Sequence, residues 1–218
     1  MNRSGWPTVL LAGGLLIVAA CGSDQPVPHG GGTAGHGRGT GAPTAHASPG
    51  SVVRGVPDKV QIGRYTQEFA TPVPADPAQA KVIEGFREGQ VLWIESAIAW
   101  RLMAPVTDYV TGVDLTHLKD AIAGERQRHV VPGGTDRFFM TRVTAMSGTT
   151  ATVATCEDGS KFTQVNPRTG HADPSLAAPP GQQYFFGRWK MVLVSGHWAL
   201  SDLSVALLPD ARARPCQP

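Results

Sequence analysis

Long apolar runs, basic clusters and cysteines are all in short supply in this 218-residue chain. The apolar run from Val9 to Ala20 falls short of the roughly 20 residues that a membrane-spanning helix needs. Lysines are few and the formal net charge is only +2. That balance removes the electrostatic case for nucleic acid as a partner, and the lack of a polybasic run removes it for an anionic surface. Familiar catalytic signatures are missing too. There is no Gly-x-Ser-x-Gly, no His-Glu-x-x-His and no glycine-rich phosphate loop. The three cysteines, at 21, 156 and 216, have no paired histidines near them and make no zinc spacing. No cofactor and no metal is expected.

What is present begins at the N-terminus. Arg3 precedes the apolar run, which ends in Val18-Ala19-Ala20 directly before Cys21. Charge, apolar stretch and small residues in that order make a secretory signal. With the cysteine in that place, the segment resembles the lipobox of bacterial lipoproteins. The resemblance implies removal of residues 1–20, a diacylglycerol on Cys21, and a mature protein held on the outer face of the cell membrane. If Cys21 carries lipid, Cys156 and Cys216 remain as a pair in a compartment where disulfides persist. A Cys156–Cys216 bridge is therefore expected, worth ~4 kcal/mol in the chain-entropy model for a loop of this length.

Residues 21–55 read as a tether. Gly30-Gly31-Gly32, Gly35, Gly37, Gly39 and Gly41 alternate with Thr, Ala, Pro and Ser, and large apolar side chains are nearly absent. Such a segment buries too little surface to offset its ordering entropy and is expected to be disordered. His29, His36 and His46 lie within it at spacings that fit no ligand pattern.

Residues 56–75 read as an irregular arm or short edge strand, and residues 76–218 as one domain. Asp76 and Pro77 suit a helix N-cap and first turn. A helix from Pro77 to about Met103 carries Val82, Phe86, Trp93, Ala97 and Trp100 along one stripe. Gly85 and Gly89 inside it suggest a kink or a close backbone approach. A short helix near Pro105–Val110 follows, then a third, N-capped by Asp114, that ends before a Pro132-Gly133-Gly134 loop. Beyond Gly134 the pattern turns to strands at 137–146, 149–156, 161–165, 183–194 and 197–205. Turns are expected at Ser147-Gly148, Asp158-Gly159, Arg168-Thr169-Gly170 and Ser195-Gly196. Phe185, Trp189, Met191 and Leu193 alternate with Tyr184, Arg188 and Lys190, as in an antiparallel sheet with one covered face. A change of phase after Leu200 predicts a bulge near Ser201. Helices followed by meandering strands give an α+β fold with the helices on one sheet face.

Several local patterns carry a second resemblance. They are Thr149-Thr150-Ala151-Thr152-Val153-Ala154-Thr155-Cys156-Glu157-Asp158-Gly159-Ser160, then Thr169-Gly170, Gly196-His197-Trp198, and Cys216. Over roughly residues 76–216 the chain resembles NTF2-like, cone-shaped α+β domains found in lipoproteins and small secreted proteins of high-GC Gram-positive bacteria. The loop His171–Gly181 and the arm at 56–75 depart from that pattern. Such domains include isomerases, dehydratases, polyketide cyclases and noncatalytic modules, and the fold does not choose among them.

No acid/base motif of those enzymes aligns with a position here. Asp108, Tyr109 and His117 are the residues that would supply a base and a proton donor inside a cone. Each also has a plainer reading: a solvated or capping acid, a core aromatic and a partly packed histidine. Asp158 and Ser160 are accounted for by turn chemistry. Trp93, Trp100, Tyr109 and Trp189 are the candidate walls of a ligand pocket. The expectation is a membrane-anchored, noncatalytic module that binds a protein partner or an apolar small molecule. The alternatives are an extracytoplasmic isomerase, dehydratase or cyclase-like enzyme, and a lipid or polyketide carrier.

Overall fold

A computed structural model describes residues 55–179, 181–207 and 209–217. The leader, Cys21 and nearly all of the tether lie outside the described residues. In chain order the elements are β1 (Lys59–Ile62), β2 (Tyr65–Phe69), α1 (Pro77–Ile98), α2 (Val106–Tyr109), α3 (Gly112–Arg128), β3 (Val131–Ser147), β4 (Thr150–Val165), β5 (Tyr184–Val194) and β6 (His197–Ala206). Short 3-10 turns lie at Pro174–Leu176 and Ala211–Cys216. All six strands form a single sheet in sequence order. Every neighbouring pair is antiparallel except β2 and β3, which run parallel because the three helices connect them. This is the α+β, helices-on-sheet arrangement that the sequence implied.

The start of α1 is where the residues place it. Asp76 accepts the Gln79 amide at 2.8 Å, and Pro77 fills the first turn, where its missing N–H costs nothing. The helix stops at Ile98, short of the expected Met103, because Trp100 turns into the left-handed region at φ 53°. Ser96 Oγ closes the end by accepting the Met103 amide at 3.0 Å. The close approach expected at the α1 glycines is present. A methyl group on Gly85 would strike the Trp198 backbone, and one on Gly89 would lie 2.8 Å from the Leu200 side chain. The helix can therefore seat directly on β6.

Several expectations need correction. The arm at 56–75 does contain the short edge strand, β1, but is not irregular: β1 and β2 form a β-hairpin with β2 inside the sheet. Arg87 of α1 holds it in place, bonding Asp58 at 2.9 Å and the Thr71 carbonyl at 2.7 Å. Helix α3 begins at Gly112, with Thr111 rather than Asp114 at the N-cap position. Its entry is set by the sheet: the Thr111 amide donates to the Leu200 carbonyl of β6 at 2.7 Å. Asp114 is consequently buried in the first turn. Pro132-Gly133-Gly134 is strand rather than loop, because β3 starts at Val131. Gly134, at φ 80°, lies so close to the Lys161 carbonyl of β4 that a side chain would not fit.

The expected hairpin at Asp158-Gly159 is absent. β4 runs unbroken for 16 residues, and the register against β3 slips between Thr135 and Arg137. Thr135 faces Lys161 while Arg137 faces Asp158, so the Asp158–Lys161 stretch of β4 carries an extra residue. Asp158 Oδ1 accepts the Ser160 amide at 2.9 Å, a local bond of the kind that also occurs in turns. Bulges of this kind bend a strand and increase its twist, and β3 has two more, between Phe139 and Arg142 and between Val143 and Ala145. The bulge expected at Ser201 is present: Lys190 pairs with Asp202 and Met191 with Leu200, leaving Ser201 extra.

The helices cover one sheet face. Phe185, Trp189 and Met191 of β5 are buried there, whereas Arg188 and Lys190 are exposed on the far face. Cys156 and Cys216 form the expected disulfide, with Cα atoms 5.2 Å apart. It pins the C-terminal turn against β4 and β5, and both cysteines are buried.

Candidate functional site

The core between α1 and β2–β5 holds buried polar groups among its aromatic side chains. On β2, Tyr65, Gln67 and Phe69 are buried and share the inward face. The parallel register sets Gln67 beside Asp136 and Phe69 beside Phe138. Across β3, Phe138 pairs with Glu157, which in turn pairs with Phe185. Asp136 and Glu157 are therefore diagonal neighbours on one buried face, 1% and 3% exposed. The β4 bulge sits between their strands and turns both inward.

Helix α1 lies over this patch. Phe86 packs edge-on against Phe138 and against Trp189, with ring centroids 5.7 Å apart in each pair. At the far end, Trp100 Nε1 donates to the Val130 carbonyl, just before β3, at 2.9 Å. Gln90 and Trp93 follow Phe86 on the same side of the helix and are buried.

The hydrogen bonding in this interior is incomplete. The Tyr65 hydroxyl donates to Asp136 Oδ2 at 3.0 Å. Asp136 Oδ1, Glu157 Oε1, both polar ends of Gln67, Gln90 Nε2 and the indole N–H groups of Trp93 and Trp189 are buried without a partner among the described residues. Each such group costs about 1–3 kcal/mol when left unsatisfied, so the set is expensive unless something else bonds to it.

Electrostatics follow from that burial. Desolvation pushes the Asp136 carboxyl up to about 7; the Tyr65 bond opposes the rise and nearby Asp158 adds to it. Desolvation raises Glu157 well above the usual carboxylate range, and the charges of Asp136 and Asp158 raise it further. Tyr65 is raised for the same reason, by burial and then by the two acids. Among the described residues no lysine or arginine contributes to these shifts.

The acid–base candidates read from the sequence do not meet here. Asp108 is exposed on α2. Tyr109 packs on His197, with ring centroids 5.0 Å apart. His117 lies on α3 with its Nδ1 3.9 Å from Asp114, outside the polar interior. Of the candidate pocket walls, Trp93 and Trp189 belong to the interior. Trp100 instead faces His129 at the end of α1, at 6.2 Å between ring centroids. Tyr65, Gln67, Asp136 and Glu157 were missed. A signal existed: each stands two residues from an aromatic or other buried residue of its strand, the spacing of a shared face. The Asp-Gly turn reading broke β4 and hid the register that joins Glu157 to Phe138.

Elsewhere, Arg188, Lys190, Asp202 and Ser204 line a shallow groove on the far sheet face. Of the exposed large apolar side chains among the described residues, Met140 and Met146 lie on β3, Val113 on α3, Leu193 on β5 and Val73 between β2 and α1. No group of three or more His, Cys, Asp or Glu among the described residues is placed to hold a metal ion.

Comparison with protein-family models gives no match, and neither does comparison with curated proteins. Solved structures show similarity over part of the chain. An NTF2-like protein with a cystatin-like fold from Novosphingobium aromaticivorans is 16% identical, with 63% of this chain and 89% of that one covered at TM-score 0.39. A ketosteroid isomerase-like protein from Erwinia carotovora atroseptica is 12% identical, covering 61% and 98% at TM-score 0.37. Aln2 from a Streptomyces species is 13% identical, covering 62% and 94% at TM-score 0.40.

Proposed function

We propose that this chain is an extracytoplasmic lipoprotein whose domain takes a small hydrogen-bonding molecule into the space between α1 and strands β2–β5. Anchoring rests on the Arg3-to-Cys21 segment and its lipobox-like end. Binding rests on one observation: the Tyr65–Asp136 hydrogen bond lies beside buried Glu157, and Gln67, next to Asp136 in the register, has both ends of its amide unpartnered. Folding alone gains nothing from such a set, whereas a ligand bearing donors and acceptors satisfies it. An apolar ligand, as the sequence suggested, would leave these groups unsatisfied.

Proton transfer is the second reading. A carboxyl titrating near neutrality beside a tyrosine hydroxyl is suited to taking and returning a proton.

Native mass spectrometry of the protein recovered from its own envelope tests the binding. The wild type and an Arg188→Ala control should carry the same small molecule, and a Gln67→Leu/Asp136→Asn variant should not. Retention by that variant, or an empty wild type, would overturn the reading. Conversion of the recovered molecule on incubation with excess protein would favour catalysis over simple binding.

A further inference from the structure

The interior is built from acids and aromatics, and it lacks a basic partner. Asp136 and Glu157 share the buried face formed by β3 and β4, and Gln67 stands beside Asp136 with both ends of its amide unpartnered. The surrounding wall is aromatic. Phe69 stacks on Phe138 at 5.6 Å, Phe86 bridges Phe138 and Trp189, and Tyr65 contacts Phe162 edge-on at 6.4 Å.

The charged groups of the packed elements pair with other residues or face solvent, and the Arg87 guanidinium lies 5.1 Å from the ring of Phe69, on the aromatic wall rather than on the acids. On β2, Glu68 pairs with Lys59 at 2.9 Å. On α1, Arg87 is bonded to Asp58 and to the Val56 and Thr71 carbonyls. Arg137 of β3 points to the opposite face, its guanidinium 5.6 Å over the Phe139 ring. Lys161 of β4 and Arg188 of β5 are exposed. Asp158 is the other charge acting on the pair, and it has the same sign.

From this placement we infer that the ligand is a small organic monocation, a protonated amine on an aromatic body that also carries a hydrogen-bond acceptor for the unpartnered amide and indole donors. The inference deepens the proposed binding function and rests on it. An ammonium group supplies what the site lacks: a positive charge for the carboxyl pair and donors for Asp136 Oδ1, Glu157 Oε1 and the Gln67 carbonyl oxygen. The aromatic faces favour a cation as well, since their quadrupoles attract one. Burial favours the protonated form of each acid, and a bound cation favours the ionised form. Binding is therefore coupled to proton release, most fully below pH 7.

Isothermal titration of the full-length chain in detergent micelles with three probes tests this. 2-Phenylethylamine, 2-phenylethanol and phenylacetate share ring and linker but are cationic, neutral and anionic. At pH 7.5 the amine should bind at least tenfold more tightly than the alcohol, and phenylacetate should not bind. Titration in buffers of different ionisation enthalpy should show proton release, with amine affinity weakening severalfold from pH 7.5 to pH 6. Asp136→Asn should abolish the preference for the amine and spare alcohol binding.

Equal or tighter binding of the alcohol or of phenylacetate overturns the inference and leaves interior binding standing. Potassium chloride that competes as well as the amine assigns the site to an inorganic ion and also overturns it. Failure of all three probes overturns it too, while the molecule recovered from the envelope still judges the binding function separately. The wild-type probe series decides the matter even if the variant does not fold.

Discussion

Tyr65 and Asp136 are joined by a 3.0 Å hydrogen bond inside the domain, although 71 residues separate them in the chain. The parallel pairing of β2 with β3 makes that contact, and the three intervening helices make the pairing possible. The bond is buried, so neither group can turn to water if its partner is lost.

Tyr65→Phe should therefore cost about 1–3 kcal/mol, the penalty of an orphaned buried acceptor. The loss should be larger at pH 8 than at pH 5, because the hydroxyl stabilises the ionised form of Asp136. Urea denaturation at both pH values checks this. Equal stability of variant and wild type at pH 8 would show that the bond carries no weight.

Stability should fall as pH rises. Burial raises Asp114 to about 7 and Glu125 to about 8, and it raises Asp136 and Glu157 as well. A carboxyl raised on folding holds its proton longer in the native state, so its contribution is complete below the unfolded value of about 4 and is lost as pH climbs through the folded value. The decline should span roughly pH 4 to 8. A tenfold change in a carboxyl's proton affinity on folding is worth about 1.4 kcal/mol. Glu125→Gln should flatten the upper part of the curve and raise Tm at pH 8 by several degrees. A Tm at pH 8 equal to that at pH 5 in the wild type would contradict this account.

Gly85→Ala should destabilise, reversing the usual gain of about 1 kcal/mol for alanine in a helix interior. The added methyl would meet the Trp198 backbone and lie 2.6 Å from its Cβ. Overpacking of this kind costs about 1–3 kcal/mol. Thermal denaturation reads the sign directly.

Cys216→Ser should cost about 2–5 kcal/mol by freeing the C-terminal turn and relaxing the unfolded chain. The wild type should lose stability in a strong reductant, and the variant should be indifferent to it. Parallel melts with and without reductant distinguish the two.

Cys21→Ala should move the protein from the membrane fraction to the soluble one without changing Tm. Fractionation followed by a melt of the released protein tests both halves, and a lowered Tm would mean that Cys21 serves the fold rather than the anchor.

Local chemistry was legible in the residues themselves. Asp76-Pro77 starts α1, the 185/189/191 alternation fixes the faces of β5, and the phase change after Leu200 marks the Ser201 bulge. The cysteine count paired Cys156 with Cys216, and the resemblance to NTF2-like domains anticipated helices laid on one sheet. These features depend on neighbours a few residues apart or on simple counting, and both survive in a linear string. The interior site does not. Asp158-Gly159 has the composition of a turn, and only pairing with β3 keeps it within a strand. Tyr65, Gln67, Asp136 and Glu157 lie in three segments whose convergence depends on strand order, a parallel register and a bulge. Asp114 and Glu125 likewise look like ordinary surface acids until α3 is laid against the sheet and buries them. Sequence alone determined the start of α1, the Ser201 bulge and the cysteine pair. Tertiary structure decided which polar side chains lost their water, because desolvation depends on what packs around a group and not on what precedes it.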